Sequence, residues 1–290
     1  MFQKTLVTLD GSKLAELSCP YAEEVARAFG SEVVLISVCK PSESQYRNMH
    51  QLYLEKMAEL MRTHVKGAKV NGVVLDGRPD EEIINYTEEN AIDLIVMTFH
   101  GGSGILPWAV GSITDRVMRR VSVPVLLVKV SDLKVKKNTL LNRILIPLDG
   151  SEAGEAALPY VRELASKLES EVILLQVVAA GQHVHTIGGL DYFFYTEEQI
   201  KSARASANQY LEEAGQKLSG TKGKVRTEVK VGDAAQEIIK FTQETNSRLV
   251  ALSAHGHSGV RQRVFGGVAH KVMHAGNTPI LLVKAWGAKA

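Results

Sequence analysis

Residues 4–38 (KTLVTLDGSKLAELSCPYAEEVARAFGSEVVLISV) return as residues 143–177 (RILIPLDGSEAGEAALPYVRELASKLESEVILLQV). Residues 94–128, which carry HGGSGILPWAVGS, return as 249–283, which carry HGHSGVRQRVFGG. A unit written twice at a period of about 140 residues is a duplicated domain, because solenoid repeats run to roughly 20 to 50. Asp10 matches Asp149 and Pro20 matches Pro159 at an offset of 139, whereas Gly101 matches Gly256 and Pro124 matches Pro279 at 155. The second copy thus carries sixteen extra residues, assigned to AAGQHVHTIGGLDYFFYTEEQIKS, between its second strand and its next helix.

The division reads as a first domain over 1–130, a linker over 131–142 and a second domain over 143–290. Each domain is large enough to bury a core without disulfides. The lysine-rich stretch KVSDLKVKKNTLLN reads as a solvated connector rather than a binding patch. Cys19 and Cys39 have no partner at CxxC spacing, a usage that suits a reducing cytoplasm. With 34 Lys and Arg against 32 Asp and Glu, the surface has no strong field to recruit nucleic acid or anionic membrane. Neither an apolar run of about 18 residues nor a signal-peptide pattern is present, so membrane insertion and export are not expected.

In the first half, strands are predicted at 4–9, 32–38, 70–75, 93–98 and 124–129, with helices near 13–29, 44–66, 79–91 and 112–121. The second half repeats the strands near 143–148, 171–178, 225–231, 248–253 and 279–284. The strands are almost continuously apolar, as expected when both faces of a sheet are covered. Five strands alternating with helices predict, in each copy, an α/β sandwich on a five-stranded parallel sheet with right-handed crossovers.

Such a sheet places its chemistry at the carboxyl ends of the strands, where neighbouring connections leave to opposite faces. Three segments converge there: LDGS from Asp10 to Ser12 after strand one, Val38 at the end of strand two, and the glycine loop after strand four. Asp10 can accept hydrogen bonds from a ribose or an adenine amine. Gly101 and Gly104 would let backbone N–H groups approach phosphate oxygens, and Gly111 with Ser112 would set a helix N-terminus and a hydroxyl on the same anion. The plainer alternatives are that LDGS is a helix-capping turn and that the glycine loop is a connector.

The strand VTLDGS, the pattern G-2x-G, a short spacer, then G-S followed by a helix and VPVLLVK resembles the universal stress protein family in its tandem two-domain form, over nearly the whole chain. The resemblance implies an adenine-nucleotide alpha-hydrolase-like, Rossmann-like fold that binds ATP beside strands one and four. It implies that Asp10 contacts the adenosine, that Val38 offers backbone contacts to the base, and that Gly101, Gly104, Gly111, Ser112 and Ile113 cradle the phosphates. The spacer has six residues where the family commonly has nine. In the second copy the matching positions are Asp149, Val177, Gly256, Gly259 and Gly266, but Gly267 stands where the serine should be. The lost hydroxyl removes about 1 kcal/mol of binding. Arg261 and Arg263 offer compensating charge, and the first site is expected to be the stronger.

Other chemistries fit less well. There is no Walker loop G-x-x-x-x-G-K-[ST] and no G-x-G-x-x-G after the first strand. GGSGI and GHSGV lack the last glycine of a nucleophile elbow. His183, His185, His255, His257, His270 and His274 crowd the second copy, yet pairs of this kind read as ordinary polar residues rather than as a zinc site. PVLLV and PILLV each form a last, hydrophobic edge strand that needs a partner. The resemblance implies that the copies pair with each other as an internal pseudo-dimer, with homodimerisation also open. The expected function is that of a cytoplasmic, nucleotide-dependent stress sensor or regulator binding ATP, with Mg where the triphosphate requires it. The rivals are a slow ATP-hydrolysing enzyme of the same fold, with Asp10 and Ser112 as working groups, and an interaction module using the aromatic insertion Tyr192 to Tyr195. The plainer reading of those aromatics is a packed loop or domain contact.

Overall fold

The computed structural model describes residues 1–99, 111–129, 140–186, 189–254 and 265–285, with backbone alone for 183–186 and 189–190. The first half runs β1 (Lys4–Thr8), α1 (Cys19–Phe29), β2 (Glu32–Cys39), α2 (Arg47–His64), β3 (Val70–Asp76), α3 (Pro79–Glu89), β4 (Leu94–Thr98), α4 (Ser112–Arg120) and β5 (Val125–Val128). The second runs β6 (Arg143–Pro147), α5 (Leu158–Leu168), β7 (Glu171–Val178), β8 (Gly181–Thr186), β9 (Gly189–Phe194), α6 (Glu197–Gln216), β10 (Val225–Val231), α7 (Ala234–Glu244), β11 (Leu249–Ser253), α8 (Gly267–Ala275) and β12 (Ile280–Val283).

Two parallel five-stranded sheets join into one sheet of ten, in the order β10-β7-β6-β11-β12-β5-β4-β1-β2-β3. The join is antiparallel, with Leu281 opposite Leu126 and Ile280 opposite Leu127. Every residue of β5 and β12 is buried. Pairing the last strands thus removes two apolar edges from solvent at once. The remaining edges are β3 and β10, where Asn71, Asp76, Glu228 and Lys230 interrupt the apolar pattern.

Both faces are covered, and each core runs across both halves. On one face Val25, Leu54, Val161 and Leu211, from α1, α2, α5 and α6, belong to one apolar cluster. On the other, Ile83, Val117, Ile238 and Val272, from α3, α4, α7 and α8, belong to another. The strands therefore contribute apolar side chains both ways, which explains their unbroken hydrophobicity.

Where the helices predicted at 13–29 and 44–66 should begin, the chain instead makes 3-10 turns, at Ala15–Ser18 and Pro41–Tyr46, before α1 and α2. Pro20, at the start of α1, has no N–H to continue a helix from the preceding turn. The insertion is an antiparallel hairpin, β8 with β9, in a sheet of its own. Its aromatics are not packed as expected: Tyr192, Phe193 and Phe194 are 43%, 52% and 78% exposed. The hairpin leads into α6 through a capping box, in which Thr196 Oγ1 accepts the Gln199 N–H and Gln199 Oε1 accepts that of Thr196.

Candidate functional site

In the first half the sheet order reverses between β1 and β4, and in the second between β6 and β11. Connections leave to opposite faces at these points and open a crevice beyond the strand ends. A cavity of about 400 Å³ lies at the first, bordered by Asp10, Val38, Thr98, Gly111, Ser112 and Ile113. One of about 330 Å³ lies at the second, bordered by Asp149, Val177, Ser253, Gly266, Gly267 and Val268. Both are within the range of small-molecule sites. A wider depression of about 710 Å³, between Gln3, Gly30 and Gly67, sits at the other end of the first half's strands. There α1 and α2 end, so their dipoles oppose an anion.

The structure brings together Asp10, Val38, Gly111, Ser112 and Ile113 in the first copy and Asp149, Val177 and Gly266 in the second. Gly101, Gly104, Gly256 and Gly259 lie outside the described residues, as do Arg261, Arg263, His255 and His257.

Each aspartate organises a turn. Asp10 Oδ1 accepts the Ser12 N–H at 3.0 Å and its hydroxyl at 2.6 Å, and Ser12 Oγ accepts the Ala15 N–H at 3.1 Å. In the second copy Asp149 Oδ1 accepts the Ser151 N–H and hydroxyl at the same distances, and Ser151 Oγ accepts the Gly154 N–H at 2.9 Å. The turn-forming role weighed for LDGS is therefore present, and the carboxylates stay exposed at the crevice mouth. Gly154 replaces Ala15 of the first copy, and a Cβ built there would collide with Asp149 Oδ1.

The opposite wall is a helix start. The Gly111 N–H donates to the Phe99 carbonyl at 3.1 Å and the Gly266 N–H to that of Ala254 at 2.9 Å, which closes the base of each glycine loop. Helices α4 and α8 begin at the next residue, and among the described residues no side chain caps either N-terminus. Their first N–H groups have no intrahelical acceptor and carry the positive end of the dipole. Ser112 is exposed at the start of α4, and the Thr114 hydroxyl donates to the Thr98 carbonyl at 3.2 Å, fixing the helix to the end of β4. Arg116 pairs with the buried Asp80 of α3 at 2.9 Å.

Sequence reasoning missed the residues that set the two crevices apart. Lys40, Glu43 and His50 border the first, and His50 Nδ1 is 2.8 Å from the Ser37 hydroxyl. The hairpin occupies the equivalent connection in the second copy, and Gln176, at the position of Ser37, borders that crevice with its buried Oε1 lacking a hydrogen-bond partner among the described residues. Comparing the copies at 37 and 176 was the available signal. A second missed feature is Tyr210, whose hydroxyl donates to Glu155 at 3.1 Å. Burial first, and then Glu155, push its phenol above the usual range. His270 and His274 lie with ring centroids 4.2 Å apart and planes tilted by 32°. Burial, His274 and Arg119 lower the His270 pKa, with Asp115 opposing. Among the described residues no group of three His, Cys, Asp or Glu is placed to hold a metal ion.

The universal stress protein family model matches residues 1–129 and again 141–284. The chain belongs to the universal stress protein family. It is 29% identical over 141 residues to a universal stress protein of Methanocaldococcus jannaschii, a stretch covering 44% of this chain and 83% of that one. It is 26% identical over 150 residues to a universal stress protein of Bacillus subtilis, covering 50% of this chain and 100% of the relative. In three dimensions it is similar to the crystal structure of a universal stress protein from Archaeoglobus fulgidus, with a TM-score of 0.74 over 98% of this chain and 99% of that one. At 19% identity that likeness is one of fold. As a tandem universal stress protein the chain is mixed α/β with a mostly parallel central sheet. No helix among the described residues is long and apolar enough to cross a membrane.

Proposed function

We propose that this universal stress protein binds an adenine nucleotide, ATP above all, in the crevice of its first half, and acts as a nucleotide-dependent sensor or regulator in a stress response. The observation that carries the reading is the N-terminus of α4, at Gly111 and Ser112, which has no side-chain cap among the described residues and opens into a cavity of about 400 Å³ opposite the exposed Asp10. A helix N-terminus favours a phosphate through its N–H groups and dipole, and a carboxylate across the crevice suits ribose hydroxyls or an exocyclic amine. Val38 would meet the base through its backbone, and Gly101 and Gly104 would close over the phosphates.

The second crevice is the weaker site in this reading, because Gly267 offers no hydroxyl where Ser112 does. The units are assigned to 1–130 and 143–290, joined by 131–142. The β5–β12 pairing takes the place of a contact between separate single-unit chains. The two unpaired cysteines suit a reducing cytoplasm.

The test is to denature freshly purified protein and identify the released nucleotide by chromatography and mass. About one ATP per chain, lost in Asp10→Ala, supports a sensor whose first site is the working one. ADP or AMP in its place favours the slow-hydrolase alternative. No nucleotide, with no binding on titration, overturns the reading.

A further inference from the structure

The antiparallel join sets the carboxyl end of β12 beside the region where α4 ends, and the carboxyl end of β5 beside the end of α8. Each of those strand ends is followed by a lysine at matched repeat positions, Lys129 and Lys284. The Lys284 ammonium donates to the carbonyl of Arg119 on α4 at 2.8 Å. Lys129 is buried and donates to the carbonyl of Met273 on α8. The two acceptors differ by one residue in repeat register, since Arg119 matches His274.

These carbonyls are ones a helix cannot satisfy itself. In α4 the last closing bond is Val121 N–H to Val117, and in α8 it is Gly276 N–H to Val272. Arg119 and Met273 both follow the last intrahelical acceptor. A cation at that end also meets the negative pole of the helix dipole. Aromatic contacts follow the same crossing. Phe99, at the base of the first glycine loop, lies under Lys129 at 3.5 Å and edge-on to His274 at 5.7 Å. Phe265, just before Gly266, lies under Arg119 at 5.1 Å.

We propose that Lys284 and Lys129 are positioning residues in trans: each lysine of one half sets the helix whose N-terminus forms the candidate phosphate site of the other half. Helix α4 has nine residues, so its span is about 13 Å, short enough to move as a rigid rod. Releasing its carboxyl end displaces Gly111 and Ser112 at the other. The part of the proposal that concerns nucleotide affinity rests on the reading of the crevices given above. The positioning itself does not.

Lys284→Met decides it, because Lys129 also touches Phe99 of its own half. Hydrogen exchange in ligand-free protein comes first, and K284M is expected to speed exchange in α4 while leaving α8 unchanged. Exchange altered equally in both helices, or in neither, overturns the proposal whether or not nucleotide binds. ATP titration follows, in an Asp149→Ala background that isolates the first site and an Asp10→Ala background that isolates the second. K284M should weaken the first site about threefold to tenfold, the loss of one hydrogen bond, and leave the second unchanged. Lys284→Arg, which keeps a donor, should restore the first site. ATP bound at the first site with unchanged affinity in K284M overturns the proposal. Crossed exchange with no ATP binding in either background supports the lysine role and overturns the nucleotide reading instead.

Discussion

Glu24 Oε1, on α1 of the first copy, accepts the backbone N–H of Leu141 at 3.0 Å, on the segment that leads into the second copy, while Oε2 accepts that of Leu140 at 3.0 Å. Burial raises the Glu24 pKa, and the two N–H groups oppose that rise. Its repeat counterpart, Glu163, is exposed. Glu24→Ala leaves two buried donors unpaired and is expected to lower stability by about 1–3 kcal/mol. Glu163→Ala should change it by less than about 0.5 kcal/mol. Urea unfolding of the two variants checks this, and equal effects would refute the asymmetry.

Burial pushes the pKa of both Lys129 and Lys284 down from 10.5 to about 8, and Arg119 adds to the shift at Lys284. Between about pH 8 and 10.5 the unfolded chain holds protons at these lysines that the folded chain has released. Stability from these two groups therefore rises with pH across that window. The stability difference between the native protein and a Lys129→Met, Lys284→Met double variant should shift in favour of the native protein as pH climbs from 8 to 10.5. Taking the difference cancels Tyr53 and Tyr210, whose raised pKa values act in the opposite sense above pH 10. A pH-independent difference would count against the burial of these two ammonium groups.

Burial, with Glu23 and Glu16 nearby, pushes the Cys19 thiol up to about 12. Cys39 is buried too, its Sγ 3.0 Å from the Glu43 carbonyl. The thiolate is the reactive form, so a disulfide reagent at pH 7 should label the folded protein far more slowly than the unfolded chain. Labelling of Cys19 at a rate independent of denaturant would show that its pocket opens without unfolding.

Gly267 stands where the first copy has the hydroxyl of Ser112, and a Cβ built there meets nothing within 4 Å among the described residues. Gly267→Ser should therefore fit without strain and strengthen ATP binding at the second site by about fivefold, from a hydrogen bond of about 1 kcal/mol. Ser112→Gly should weaken the first site by a similar factor. Calorimetric titration of the two variants reads both, and a Gly267→Ser site no tighter than the native one removes the hydroxyl as the cause of the difference.

The ten strands of the main sheet were legible because their side chains enter two cores and read as apolar runs, as in VVLIS and VILLQ. The places of Asp10 and Asp149 at the two crevices were legible because the repeat supplied two copies of LDGS. The hairpin was not, although Gly188-Gly189 between β-prone runs is a turn signal. Gln182 and Asp191 to Phe194 are exposed, and exposed aromatics such as Phe194 look in sequence like a packed loop. Lys284 and Arg119, or Glu24 and Leu141, meet only because two halves join at β5 and β12. No periodicity within either half encodes such contacts.

The join also decides which way the two crevices face. Because strand direction reverses between β5 and β12, the mouths of the two crevices look away from one another, along opposite sides of the molecule. The duplication therefore gives two crevices that open separately, one in each half, rather than one site of doubled capacity.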